Sequence, residues 1–174
     1  MKLENDCYDW YARHAEKCAE AARRSHDIMM IGDSITHFWE TSYPESWQAF
    51  TAGRDVWNLG FGWDRTCNVL YRIRYGELDG QAPRAIVLNI GTNNFSATDH
   101  YPGDDPEGTG EGVAAVVETL RKFVPEALLV VMCPFQRGTG AEPHRAWLRE
   151  LAIHLHRLYD GREADGIHLL DISE

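Results

Sequence analysis

Five apolar runs, separated by segments with helical spacing, constrain this chain more than anything else in its sequence. The runs are 27–32, Asp55-Val56-Trp57-Asn58-Leu59, Ala85 to Ile90, Ala127 to Met132 and Ile167 to Ile172. Residues 6–24 read as an amphipathic helix, and Phe38 to Phe50 as a helical or irregular stretch broken at Pro44. Asp64 can cap a helix running through Val69, Leu70 and Ile73 to about Tyr75. Val113, Val116, Val117 and Leu120 share one helical face, as do Trp147, Leu148, Leu151, Leu155 and Leu158 within 143–160. The glycine- and proline-rich stretches 96–110 and 138–143 read as loops. Strand and helix alternating in this way call for an α/β fold. Its sheet is parallel, with helices on both faces and right-handed crossovers. The continuous apolar runs at 85–90 and 127–132 are those of strands buried on both faces.

Ligands of such sheets bind at the carboxyl ends of the strands. The polar residues with chemical potential fall at those ends. Ile31-Gly32-Asp33-Ser34-Ile35-Thr36 follows the first strand and places a serine between a buried strand and a helix. There the backbone N–H groups of the helix start can face developing negative charge. Asn58-Leu59-Gly60-Phe61-Gly62-Trp63-Asp64-Arg65-Thr66 forms a glycine-rich turn after the second strand, and Ile90-Gly91-Thr92-Asn93-Asn94 ends the third. Each motif alone reads equally as a turn or a cap. Their convergence on one edge makes the case for a site. A dinucleotide loop fits this spacing poorly, because Gly60-x-Gly62 would need a further glycine where Arg65 stands.

The three blocks together resemble the GDSL/SGNH family of serine esterases and acylhydrolases. The resemblance runs from about Asp27 to the C-terminus, and is closest to the branch of the platelet-activating-factor acetylhydrolase catalytic subunits. It implies a flavodoxin-like, three-layer α/β/α sandwich with a five-stranded parallel sheet. It also implies hydrolysis of small acyl esters, acetyl esters of a carbohydrate or lipid, with no cofactor and no metal. Ser34 is then the nucleophile. The oxyanion hole is its own N–H, the backbone N–H of Trp63 and the side chain of Asn93. The family places glycine where this chain has Trp63, so that donor requires a backbone conformation a tryptophan can adopt.

The family's last block is Asp-x-x-His, which supplies the base and the group that orients it. Asp165-Gly166-Ile167-His168 fits that pattern, yet His168 lies inside the last apolar run. Two readings follow. Either Asp165 and His168 complete a triad, or His168 is a strand residue. In the second case residues 1–174 form one domain that stops before the family's final loop and closing helix. The alternative function is then a catalytically impaired domain that binds or assembles. The apolar surface left uncovered would favour a homodimer. The other histidines (His14, His26, His37, His100, His144, His154 and His156) read as surface or half-buried residues, and the spacing of His154 and His156 is not that of zinc ligands on one helical face.

A net charge of −10 disfavours nucleic acid and anionic membranes as partners. No run approaches the length of a membrane span. Met1 to Asp6 lacks the apolar core of a signal peptide, and the dispersed Cys7, Cys18, Cys67 and Cys133 suit reduced thiols, so a cytoplasmic location is expected.

Overall fold

The computed structural model describes residues 8–136 and 143–172. Cys7, Met1 to Asp6 and all but the last residue of the expected loop at 138–143 lie outside them. The elements are α1 (Trp10–Ala21), β1 (Ile28–Gly32), α2 (Ser34–Ser42), α3 (Pro44–Thr51), β2 (Val56–Gly60), α4 (Thr66–Arg72), β3 (Ala85–Asn89), α5 (Pro106–Phe123), β4 (Leu128–Met132), α6 (Pro143–Tyr159) and β5 (Ile167–Leu170). The strands form one sheet in the order β2-β1-β3-β4-β5, and every pair is parallel. This is the flavodoxin-like order, with its ligand crevice where the order reverses beside β1.

Short local signals place the helices. The Asp9 carboxylate accepts the Ala12 N–H at 2.9 Å and starts α1. Asp33 accepts the Ile35 N–H at 2.9 Å, so α2 begins at Ser34 itself, four residues earlier than its apolar spacing suggests. Asp105 accepts the Gly108 N–H at 2.7 Å and Pro106 opens α5, so the loop expected to run to 110 ends at 105. The cap of α4 is Arg65, whose N–H donates to the Asn68 side chain at 3.0 Å. Asp64 is not the cap. It is buried, for a reason given below.

The core lies on one face of the sheet. Met29, Ile31, Trp57, Leu59, Ile86, Leu88, Leu129, Val131 and Ile167 pack there against Val69 and Ile73 of the α4 region, Val113 to Leu120 of α5, and Leu148 to Leu155 of α6. The opposite face carries the row Met30, Val87, Val130 and His168, set by the strand register. Among the described helices, α2 packs on this face against β1 and β2, and α3 packs on α2. β3 and β4 are thus buried on one face, not two: Val87 and Val130 are half-buried, and Leu128 and Leu170 are exposed. Apolar runs on β3 and β4 prepare both faces for burial, but the described helices supply only one layer at that end.

Candidate active site

Ser34 is the first residue of α2, two residues past the last residue of β1. Gly32 pairs with Gly60 of β2 on one side and Asn89 of β3 on the other. The loops that follow these two partners carry Trp63 and Asn93. The sheet therefore delivers all three residues to its carboxyl edge, around β1.

A dense set of hydrogen bonds locks the second and third loops together. Asn93 Nδ2 donates to the Asp64 carbonyl at 3.0 Å, while Arg65 Nε donates to the Asn93 carbonyl at 3.1 Å. A second guanidinium nitrogen of Arg65 reaches the Ser96 carbonyl at 2.8 Å, and its plane lies 3.7 Å from the Tyr101 ring centre. Asn94 accepts the Thr66 N–H at 3.1 Å and donates to Thr66 Oγ1 at 2.9 Å and Asp104 Oδ2 at 2.7 Å. Asn93 is buried, and its amide carries two N–H groups, so one bond to Asp64 leaves the other for a ligand.

Trp63 has φ +66°, the left-handed region that usually selects glycine. Its ring is 44% exposed, so no burial demands it there. The turn is held around it instead. Gly62 N–H donates to His37 Nδ1 at 3.1 Å, Tyr8 hydroxyl donates to the Gly62 carbonyl at 3.0 Å, and Asp64 N–H donates to the Phe61 carbonyl at 3.2 Å. Burial, with Arg13, Lys17 and Arg72 nearby, lowers His37 to about 4. The ring is therefore neutral at pH 7, and its Nδ1 is the acceptor that the Gly62 N–H requires.

Beneath this turn sits a buried charge network that the sequence pattern did not reveal. Arg72 is fully buried. Its Nε donates to Asp64 Oδ2 at 2.7 Å, Nη1 to Glu77 Oε2, and Nη2 to the Leu59 carbonyl at 3.2 Å. Trp10 Nε1 donates to the other Asp64 oxygen at 2.7 Å, and His14 Nδ1 lies 2.9 Å from Glu77 Oε1. Burial pushes the Asp64 carboxyl up to about 6 against the pull of Arg72 and the Trp10 hydrogen bond, and the nearby Glu77 charge adds to the rise. One signal pointed here: a lone arginine inside the apolar run Val69 to Ile73, eight residues after an aspartate.

Asp165 and His168 are not brought to this crevice. Asp165 ends a short 3-10 turn before β5 and pairs with Arg162. His168 is an exposed residue of β5, in register with Val130 and Val87 across to Met30 of β1. Three strand spacings separate it from β1, or roughly 14 Å. The Asp-x-x-His spacing is matched in sequence, but the strand consumes it. No described residue hydrogen-bonds the Ser34 hydroxyl.

Ser34 also borders an apolar cavity of about 630 Å³, walled by Ile35, Phe38, Trp39 and Tyr43 of the α2–α3 layer and by Val130 and Met132 of the sheet.

Comparison with known proteins agrees with this architecture. The chain is 30% identical over 142 residues to platelet-activating factor acetylhydrolase IB subunit alpha1 of Rattus norvegicus, covering 82% of this chain and 57% of that protein. It is 28% identical over 136 residues to the alpha2 subunit of Homo sapiens, covering 78% and 56%. The chain thus spans little more than half the length of these curated relatives. Among solved structures, an acetyl xylan esterase, AlAXEase, superposes with a TM-score of 0.67 at 18% identity, over 84% of this chain and 77% of that one. A member of the lipolytic G-D-S-L family from Veillonella parvula gives 0.66 at 18% identity, over 84% and 78%. No helix among the described residues is long and apolar enough to cross a membrane. The model of the GDSL-like lipase/acylhydrolase family matches residues 30–174, and the chain belongs to that family.

Proposed function

We propose that this chain is a serine esterase acting on small acyl esters, acetyl esters of a lipid or carbohydrate alcohol foremost. The observation that carries the reading is the placement of Ser34 at the start of α2, on the edge where Asn93 and the Trp63 turn are locked together. Ser34 Oγ attacks the ester carbonyl. Its proton leaves with the alcohol, and the acyl group remains on the serine. Water then attacks the acyl-enzyme and releases the acid. The negative charge of each tetrahedral intermediate faces the Ser34 N–H, the Trp63 N–H and the second N–H of Asn93. The acetyl preference rests on the relatives, which include an acetylhydrolase and an acetyl xylan esterase.

Turnover of a chromogenic acetate ester, lost in Ser34→Ala, is the test. A rate equal in the two proteins would overturn the reading.

A second reading, a domain that binds an ester without turning it over, is favoured by one observation. No described imidazole hydrogen-bonds Ser34, and His168 lies in β5. The same ester, bound by the wild type but hydrolysed no faster than by Ser34→Ala, would select this reading.

A further inference from the structure

A second cluster of chemically reactive side chains stands at the other end of the carboxyl edge, beyond β4 and β5. Cys133 follows β4, His156 lies in the last turns of α6, and Asp171 follows β5. One donor atom from each lies within 4.8 Å of the other two. His156 Nε2 is 2.9 Å from Asp171 Oδ2. Sequence spacing hides this group, since 23 and 15 positions separate its members.

We infer that Cys133, His156 and Asp171 form a binding site for a divalent transition-metal ion of the zinc class, with Asp160 orienting His156 from behind. The donor set is the first reason. One thiolate, one imidazole and one carboxylate match the borderline-soft character of such an ion, and three protein ligands leave one position for water. Bond lengths of about 2.0–2.3 Å to a tetrahedral ion set ligand atoms roughly 3.3–3.6 Å apart. The 2.9 Å between His156 Nε2 and Asp171 Oδ2 would widen to that spacing on binding, and all three separations lie within 4.8 Å.

The surroundings of His156 are the second reason. Its Nδ1 lies 2.9 and 3.0 Å from the two Asp160 carboxylate oxygens. With an ion on Nε2, which faces Asp171, that carboxylate would accept the Nδ1–H. A carboxylate behind a metal-bound histidine is the usual supporting arrangement.

Rigidity and access are the third. Cys133 N–H donates to the Leu170 carbonyl at 3.0 Å, which ties together the two strand ends that carry ligands. Cys133 is buried, whereas the side chains of His156 and Asp171 keep 41% and 29% of their exposure. An ion therefore enters from solvent and meets the sulfur last. Charge balances: thiolate and carboxylate neutralise the dication, the thiol proton is released on binding, and an imidazolium loses its Nε2 proton as well. Without an ion, burial and Asp171 hold the Cys133 thiol protonated, its pKa pushed up to about 12.

Cobalt(II), added to the reduced full chain, tests the site without reference to esterase activity. One equivalent should give a thiolate-to-cobalt charge-transfer band and the intense visible bands of a four-coordinate ion. Zinc should displace it. Cys133→Ser should abolish the charge-transfer band, and His156→Ala should remove the four-coordinate visible bands, while far-UV circular dichroism confirms that both variants are folded. Asp160→Asn should weaken binding about 10–100-fold. No charge-transfer band at millimolar cobalt would overturn the assignment. So would a band that survives Cys133→Ser, as would arise if Cys18 and His14, 3.8 Å apart, were the ligands.

Discussion

Asn93 Nδ2 donates to the Asp64 main-chain carbonyl at 3.0 Å, which makes the loop after β3 a rigid extension of the turn after β2. One amide hydrogen is committed to that bond, and in the proposed mechanism the other serves the oxyanion. Asn93→Ala should lower kcat for an acetate ester by roughly 10²–10³-fold with little change in KM, since the lost donor acts on developing charge. Steady-state kinetics checks this, with a melting curve to confirm that the loop bond is not essential to folding. An unchanged kcat would remove Asn93 from the mechanism.

Arg72 is the cation on which this corner depends. Replacing it with Met leaves Asp64 and Glu77 buried without their partner. The loss should be about 3–5 kcal/mol. Urea denaturation of Arg72→Met measures it. Arg72→Lys keeps the charge but cannot span Asp64, Glu77 and the Leu59 carbonyl with one planar fork, so it should recover only part of the loss. Equal midpoints for wild type and Arg72→Met would show that the network contributes nothing net.

The five strands and the edge on which Ser34, Trp63 and Asn93 gather were legible because both follow from local pattern: apolar runs fix the strands, and parallel topology fixes the edge. Two things were not legible. Gly108 and Gly110 look like loop residues, yet they lie in α5, as does Gly112. A Cβ at Gly110 would strike the His154 ring of α6, and one at Gly112 would strike the Thr66 side chain of α4. These glycines let helices approach closely, a tertiary demand with no sequence period. Asp64 looks like a cap, but Arg72, eight residues on, and Trp10, distant along the chain, claim its carboxylate. The strand placement of His168 was legible, because it lies inside the apolar run 167–172 despite the Asp165-x-x-His168 spacing, and the register of β5 on β4 agrees.

The strain at Trp63 can be isolated by comparing two replacements that both remove the ring. Trp63→Gly should be more stable than Trp63→Ala by about 1 kcal/mol, because only alanine carries a Cβ into the left-handed region. Thermal or chemical denaturation of the pair decides. Equal stabilities would mean that the turn relaxes out of this conformation once the ring is gone.

His37 should give the protein a pH-dependent stability. Its folded pKa, about 4, lies below the ordinary 6.5. Between these values the unfolded chain binds the proton and the folded one does not, so stability from this group is full above pH 6.5 and is lost as pH falls toward 4. The raised Asp64 acts in the opposite sense, and it is present in wild type and variant alike. His37→Asn should therefore flatten the acid-side decline in unfolding midpoint, with its amide oxygen able to accept the Gly62 N–H. Parallel curves for the two proteins between pH 6.5 and 4 would contradict the assignment.

The half-covered sheet also changes how foldedness can be assayed. Apolar dyes that brighten on exposed hydrophobic surface are commonly used to detect loosely packed states. Among the described residues, Val87, Val130, Met132 and Leu170 already line an apolar groove beside the α2–α3 layer. Dye fluorescence would therefore report a native groove as readily as a loosened core. Near-ultraviolet dichroism from Trp10 and Trp57, both fixed in the interior, follows tertiary packing in this protein without that ambiguity.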